Sequence, residues 1–251
     1  MKKYFLLQTI LALLLTGCAM TNLKSTNYVG KVYKNTIQLQ GMDIPLPEGE
    51  WRVIGSGNIE GKIVGAGGSQ TNNPTDDKFQ VVLLKTTDLG KVDSLIIIDT
   101  DKMGNRLSGY LSYPFFNRTD LYQVIVKNND KDGAHDCWLI CHSITPQIYK
   151  NTVATKEAFN YFESNKIEIP KISILSYHHF TGKYNKNKLL DYYYYINPEI
   201  NGFDPPIDTN WATCEWNKLQ INKDPKKVEY IDKLKIEGAA MHEKLRVAFG
   251  G

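Results

Sequence analysis

The sequence has little of what nucleic-acid-binding, membrane-spanning or disordered proteins need. Thirty lysines and arginines against 27 aspartates and glutamates leave a formal net charge of +3, so we expect no nucleic acid as a partner. The mostly apolar run at residues 4–15 is shorter than the roughly 20 residues of a membrane-spanning helix. Hydrophobic residues make up 42% and charged residues 23% of the 251 positions, an ordinary globular composition that excludes disorder and fibrous architectures.

Catalytic and phosphate-binding motifs are also absent from the sequence. The glycine-containing segments Gly55–Gly57 and Gly65–Gly68 lack the spacing and the following helix of phosphate-binding loops. His242-Glu243 begins like a zinc-protease motif, but Arg246 stands where the second histidine must be. From the sequence we therefore assign no catalytic residue, no metal site and no cofactor.

The first eighteen residues have the pattern of an export signal. Lys2 and Lys3 give a basic start, the apolar run follows, and the run ends in Leu15-Thr16-Gly17-Cys18. This ending resembles the lipobox of bacterial lipoproteins. The resemblance implies that residues 1–17 are a signal peptide and that Cys18 carries a diacylglycerol and an N-acyl lipid. Two or three acyl chains hold a protein stably, so such a cysteine would be a permanent anchor in the membrane.

The resemblance also indicates where the protein resides. The position after the lipobox cysteine is used for sorting in enteric-type bacteria, and Ala19 resembles the outer-membrane signal if the source is Gram-negative. We therefore expect a cell-envelope protein. Residues 18–35, which are rich in Asn, Thr, Ser and Lys, are predicted to form the lipidated cysteine and a flexible linker with a reach of roughly 20–25 Å.

Residues 36–251 are predicted to form a single α+β domain. β-Branched and aromatic residues between turn residues predict a series of strands. These are Thr36–Gln40, Trp51–Gly55, Phe79–Lys85, Asp93–Thr100, Leu121–Lys127, Cys137–Ile144, Ile172–Phe180 and Leu189–Ile196. A short internal helix is expected at Ala154–Ser164. The expected architecture is an antiparallel sheet or sheets covered by helices, with a β-sandwich carrying a terminal helix as the alternative.

A long C-terminal helix is the clearest element of the mature chain. Asp224 is a predicted N-cap with Pro225 at the first helical position. The apolar positions up to Phe249 recur every three or four residues, so we expect one face to pack on the sheet. The side chains expected inside are Ile231, Leu234, Met241 and Leu245, and those expected in solvent are Glu229, Asp232, Lys233, Glu243 and Lys244.

Several short motifs of the mature chain resemble a family of uncharacterised bacterial envelope proteins. The motifs are Leu46–Trp51, Asn197-Pro198-Glu199, Gly202-Phe203, Trp211, Trp216, Pro225 and Phe249-Gly250. The resemblance spans most of residues 43–251, and it implies an envelope location without implying an activity.

Three cysteines remain in the mature chain once Cys18 is assigned to lipid. If Cys137 and Cys141 lie on one strand, their Cα atoms are about 13 Å apart, too far for a disulfide. Cys214 would then pair with one of them, whereas a helix or tight loop would allow the Cys137–Cys141 bridge, and three buried thiols are the third alternative. A metal site at His135, Cys137, Cys141 and His142 is disfavoured, because a straight strand would spread these donors over about 20 Å and two faces.

Two classes of function remain. The leading hypothesis is a non-catalytic envelope lipoprotein that binds or scaffolds an unknown envelope protein or glycan. The candidate binding surface consists of the aromatic residues Tyr192, Tyr194, Trp211 and Trp216. The favoured alternative is that these tyrosines are ordinary strand residues that pack under the terminal helix. The alternative is an envelope hydrolase with dispersed catalytic residues, for which the candidates are His135, Asp136, His178 and His179.

Overall fold

An eight-stranded antiparallel sheet forms the centre of the molecule. The computed structural model describes residues 23–59, 62–64, 70–72, 78–101, 118–129, 134–145, 152–182 and 188–250. With strands numbered along the chain, the spatial order is β1 (Val32–Tyr33), β4 (Trp51–Ile59), β7 (Lys78–Thr86), β8 (Val92–Asp101), β12 (Leu189–Ile196), β11 (Ile172–Thr181), β10 (His135–Ile144) and β9 (Gln123–Asn129). Two small antiparallel sheets pair β2 (Thr36–Leu39) with β3 (Met42–Pro45) and β5 (Lys62–Val64) with β6 (Gln70–Asn72).

Four α-helices accompany the strands in the described part of the chain. They are α1 (Leu23–Thr26), α2 (Val153–Asn165), α3 (Lys218–Ile221) and α4 (Pro225–Phe249), and a 3-10 turn covers Pro198–Asn201. Local chemistry sets the ends of α4, because the Asp224 side chain accepts a hydrogen bond from the Lys226 amide and Gly250 adopts a left-handed conformation with φ 102°. None of the described helices is long and apolar enough to cross a membrane.

The main sheet is covered on both faces. Helix α2 packs on one face, the α2 face, where Ala154, Ala158 and Phe162 meet side chains such as Ile97 and Leu139. Helix α4 and the β2–β3 sheet pack on the other, the α4 face, where their apolar side chains join two core clusters. Because the central strands β7, β8, β12, β11 and β10 are buried on both sides, their sequences lack the alternation of apolar and polar residues that marks a half-exposed strand.

Two glycines allow the helices to approach the sheet closely. A Cβ atom on Gly55 of β4 would lie 2.1 Å from the carbonyl oxygen of Ala154 in α2. A Cβ atom on Gly238 of α4 would lie 2.9 Å from the Trp138 ring and 3.1 Å from the Ser176 hydroxyl. At both positions a side chain would push a helix away from the sheet.

The predicted α+β class is confirmed: an antiparallel sheet carries an internal helix and a long C-terminal helix. The β-sandwich alternative does not form, because helices take most of the space that a second large sheet would occupy. On α4, Ile231, Leu234 and Leu245 are buried and all five residues expected in solvent are exposed, whereas Met241 is only half-buried.

The predicted linker is too long at its C-terminal end. Residues from Leu23 onward pack on the domain: Asn27 is buried, and β1 pairs with β4 through Val32 and Tyr33. The polar composition of residues 23–35 does not mark a linker here, because the Thr26 and Asn27 side chains both donate to the Leu23 carbonyl within a folded segment. Cys18 and the predicted signal peptide lie outside the described residues.

Candidate functional site

A row of polar side chains crosses the α2 face near one end of the main sheet. The strand register places Gln80, Asp99, Asp191, His179 and Cys137 as successive partners on β7, β8, β12, β11 and β10. Residues that are direct partners in antiparallel strands have Cβ atoms about 4.5–5.5 Å apart on one face. The sheet itself therefore brings these five side chains together.

We call each row of directly paired residues on one face of the sheet a rung. The next rung toward the strand ends adds two further pairs of partners, Lys78 with Asp101 and His135 with Thr181. The rung below carries Tyr177 and Tyr193 between apolar side chains, and the Tyr177 hydroxyl points into the row. We define the polar cluster as Lys78, Gln80, Asp99, His135, Tyr177, His179 and Asp191. Burying so many ionisable groups does little for stability, and perturbed groups of this kind concentrate at functional sites.

Asp191 is the centre of the polar cluster. Its Oδ1 atom lies 2.6 Å from Nδ1 of His179 and accepts a hydrogen bond of 2.7 Å from the Tyr177 hydroxyl, and its Oδ2 atom lies 3.4 Å from Nζ of Lys78. Burial alone would raise the pKa of Asp191, but the charges of His179 and Lys78 and the two hydrogen bonds outweigh it, so its pKa lies below the ordinary value. Asp191 is therefore an ionised, fully buried carboxylate.

A chain of hydrogen bonds leads from Asp191 through two histidines. Nδ1 of His179 carries a hydrogen toward the Asp191 carboxylate, so in the neutral ring its Nε2 atom is an acceptor. That Nε2 atom lies 3.3 Å from Nδ1 of His135, which then donates. With both rings neutral, this order of donors leaves the basic lone pair on Nε2 of His135, an arrangement suited to general acid–base chemistry.

Asp99 provides a second carboxyl group with the opposite behaviour. Burial and then the neighbouring Asp191 charge raise its pKa to about 7, although Lys78 and the hydrogen bond from Gln80 act against the shift. Gln80 donates to Asp99 over 2.7 Å and accepts from Thr152, the N-cap of α2, over 2.5 Å. Two neighbouring carboxyl groups with separated pKa values can act as a proton donor and a proton acceptor.

A second polar network lies on the opposite face of the sheet, beneath α4. Ser176 lies 3.0 Å from Nε2 of His178, the Nδ1 atoms of His178 and His242 are 3.1 Å apart, and Nε2 of His242 lies 2.7 Å from Asp136. Arg246 donates to Asp136 over 2.6 Å. Burial lowers the pKa values of both histidines, and although burial alone would raise the pKa of Asp136, His242 and Arg246 lower it to about 2. Because α4 covers it, we assign this network to helix packing.

The residues named for a hydrolase divide between these two networks. His135 and His179 belong to the polar cluster, whereas His178 and Asp136 lie across the sheet under α4. Sequence analysis missed Asp99 and Asp191. The available signal was an aspartate inside a strand that is otherwise continuously apolar or aromatic, as in residues 95–99 and 189–196.

The predicted aromatic surface is not formed by all four residues. Tyr192 and Trp216 are fully buried, because the face of β12 that carries Tyr192 lies under α4 and the β2–β3 sheet. Tyr194 is half-buried against Trp51. Trp211 is half-buried and stacks on His142, with 4.1 Å between the ring centres. The Arg118 guanidinium lies 4.5 Å from the centre of the Trp211 ring.

Cys137, Cys141 and Cys214 are free, buried thiols. Cys137 and Cys141 lie on β10 as expected and cannot pair with each other, and Cys214 belongs to a core cluster on the opposite face from Cys141. Of the three alternatives left open by the sequence, the structure therefore has three buried thiols. Burial raises the pKa of Cys137 to about 11, so this thiol, although it lies in the polar row, is not a ready nucleophile. Within the described ranges no group of three or more His, Cys, Asp or Glu side chains could hold a metal ion.

An open cleft of ≈ 780 Å³ lies at the other end of the sheet, between the β7–β8 turn and the end of α2. Charged side chains on its walls include Glu50, Arg52, Lys85 and Asp88.

Comparison of the chain with family models, curated proteins and solved structures finds no match.

Proposed function

We propose that this protein is a membrane-anchored envelope lipoprotein, held by a diacylglycerol and an N-acyl lipid on Cys18, with a non-catalytic binding or scaffolding role. The observation that carries the proposal is the sequence Leu15-Thr16-Gly17-Cys18 after a basic start and a short apolar run. Four residues, 19–22, lie between Cys18 and Leu23, the first residue that the structure describes, so the lipid would lie close to the domain. If the source is Gram-negative, Ala19 favours the outer membrane.

The open cleft supports a binding role, since its volume lies in the usual range of ligand sites. An envelope protein or a glycan is the proposed class of partner.

The experiment on the anchor replaces the sulfur atom that would carry the lipid. Cys18→Ser should retain its signal peptide and leave the detergent phase, because serine offers no thiol for acylation. Thr16→Ser, which keeps a small residue before the cysteine, is the matched control and should fractionate like the wild type. A Cys18→Ser protein that is cleaved and partitions like the wild type would exclude the lipoprotein.

A hydrolase is the second candidate, and one observation favours it: His135, His179 and Asp191 form a hydrogen-bonded chain beside Asp99. The wild type and Asp191→Asn should be incubated with chromogenic esters, amides, glycosides and phosphate esters. Hydrolysis that is lost in Asp191→Asn and kept in Asp93→Asn, which lies on β8 outside the polar cluster, would establish the enzyme. Absence of turnover, or turnover that is unchanged in Asp191→Asn, would exclude the polar cluster as a hydrolase site.

A further inference from the structure

The first residues of the described chain are held firmly against the edge of the sheet. The Asn27 side chain donates to the Leu23 carbonyl over 2.8 Å and accepts from the Tyr33 hydroxyl over 2.6 Å. The Gly30 amide donates to the Val53 carbonyl and the Val53 amide donates to the Lys31 carbonyl, each over 2.8 Å. We call residues 23–34, which contain α1 and β1, the N-terminal edge.

The N-terminal edge exposes three aromatic or apolar side chains that lie close together in the sequence. Tyr28 is 58% exposed, Val29 37% and Val32 39%, all within five positions of one another. Tyrosine is favoured at membrane–water interfaces, where its ring meets the acyl boundary and its hydroxyl meets water.

The charge of the N-terminal edge has one sign along the chain. Lys24, Lys31 and Lys34 fall between residues 18 and 36, and no aspartate or glutamate does. Glu157 lies 3.9 Å from Lys24 and Glu50 lies 2.8 Å from Lys34, whereas Lys31 lies over the Tyr33 ring at 4.7 Å and donates to a backbone carbonyl. Lysines close to a bilayer are attracted to anionic headgroups.

The distance from the lipid to the edge is short. Five peptide steps separate Cys18 from Leu23, and a fully extended chain covers at most about 18 Å in five steps. A lipid on Cys18 would therefore keep the N-terminal edge within that distance of the headgroups, while the opposite edge strand, β9, lies about 34 Å away across the sheet.

We infer that the N-terminal edge rests on the headgroup surface of the membrane, with Tyr28, Val29 and Val32 in the interface and the β9 edge turned away from it. The inference rests on the proposed lipidation of Cys18 and adds an orientation to it. An apolar and basic contact beside an acyl anchor supplies the second membrane signal that stabilises anchoring. The cleft, whose lining includes Val32, would then lie beside the membrane surface.

Two valines of equal exposure give a matched test of this orientation. Val32 on β1 and Val124 on β9 are each 39% exposed. Each is replaced by cysteine in the full-length, lipidated protein and labelled with a thiol-reactive fluorophore. The label is selective because Cys137, Cys141 and Cys214 are buried and the Cys18 sulfur would be blocked by lipid.

The labelled proteins are reconstituted in phosphatidylethanolamine–phosphatidylglycerol vesicles that carry a headgroup-attached nitroxide quencher. We expect quenching at Val32→Cys to be roughly threefold or more above that at Val124→Cys, because the two edges are about 34 Å apart. Adding Tyr28→Ser and Val29→Ser should reduce quenching at position 32, whereas Val126→Ser on the opposite edge should not.

The outcomes separate the orientation from the anchor. Equal quenching at the two positions, in protein that mass spectrometry shows to carry lipid, would overturn the orientation and leave the lipoprotein intact. Wild-type protein without lipid on Cys18 would overturn both proposals. Stronger quenching at position 32 that is unchanged by the serine substitutions would show that the tether alone positions the domain, and would overturn the interfacial role of the side chains.

Discussion

His178 and His242 face each other across the interface between β11 and α4, with their Nδ1 atoms 3.1 Å apart. Only one hydrogen fits between these atoms, so one ring donates, the other accepts, and a proton added to the accepting atom would have no partner. The contact therefore requires at least one neutral ring, and it couples the docking of the C-terminal helix to pH.

The first prediction concerns acid stability. Burial and the neighbouring His242 hold the pKa of His178 well below its usual value. An unfolded chain, with a histidine pKa of about 6.5, takes up a proton before the folded chain does, so this contribution is present above pH 6.5 and is lost as pH falls. The stability advantage of the wild type over His178→Gln should shrink below pH 6.5 by up to about 1.4 kcal/mol per pH unit, measured by urea unfolding. A stability difference between the wild type and His178→Gln that stays constant from pH 8 to pH 5 would contradict this prediction.

The second prediction concerns Asp99 and has the opposite sign. Its folded pKa of about 7 lies above the unfolded value, so the stabilising contribution of the protonated group is present in acid and is lost as pH rises through 7. Asp99→Asn, which stays neutral, should therefore gain stability relative to the wild type by up to about 4 kcal/mol between pH 4 and pH 8. Chemical denaturation at both pH values measures this, and a pH-independent difference would show that Asp99 is ionised in the folded protein like an ordinary aspartate.

The third prediction compares neighbouring residues of α4. Leu234 is buried against the sheet, whereas the Lys233 side chain is 66% exposed. Leu234→Ala should lower the free energy of unfolding by about 2–5 kcal/mol, because it leaves a cavity in the core. Lys233→Ala should change it by about 0.5 kcal/mol or less. Similar losses in urea melts of the two variants would mean that the helix is docked differently.

The fourth prediction concerns the close approach of α2 to β4. Gly55→Ala would place a methyl group 2.1 Å from the Ala154 carbonyl oxygen, a backbone atom that cannot turn aside. We expect destabilisation of about 1–3 kcal/mol or more in thermal and urea unfolding, the usual cost of overpacking. Asn58→Ala, at an exposed position of the same strand, is the control and should be nearly neutral. A Gly55→Ala protein as stable as the control would show that α2 can move away from the sheet freely.

Much of the fold could be predicted from the sequence, because its signals are local. The N-cap at Asp224, the proline after it and the spacing of Ile231, Leu234 and Leu245 define α4 without reference to the rest of the chain. The strand β10 likewise follows from its own residues, and its extended geometry correctly excludes a bridge between Cys137 and Cys141.

The candidate site could not be predicted, because its members meet only through long-range pairing. Asp99 and Asp191 are 92 positions apart in sequence, and they are neighbours because β8 pairs with β12 in one particular register. Which face each residue occupies depends on that register, and both faces of the sheet are buried. The predicted strand Ile172–Phe180 sends the adjacent His178 and His179 to opposite faces, but the sequence offers no means of assigning either one to Asp191.

The polar cluster has a consequence for how the protein tolerates change. Its members occupy three adjacent rungs of five neighbouring strands, so their meeting depends on the number of residues in each strand as well as on their identity. Deleting a single residue between Asp191 and Ile196 would turn Asp191 to the opposite face of the sheet. The cluster would be lost although all of its residues would still be present in the sequence. Homologous chains should therefore vary in the lengths of the connections between these strands much more readily than in the lengths of the strands themselves.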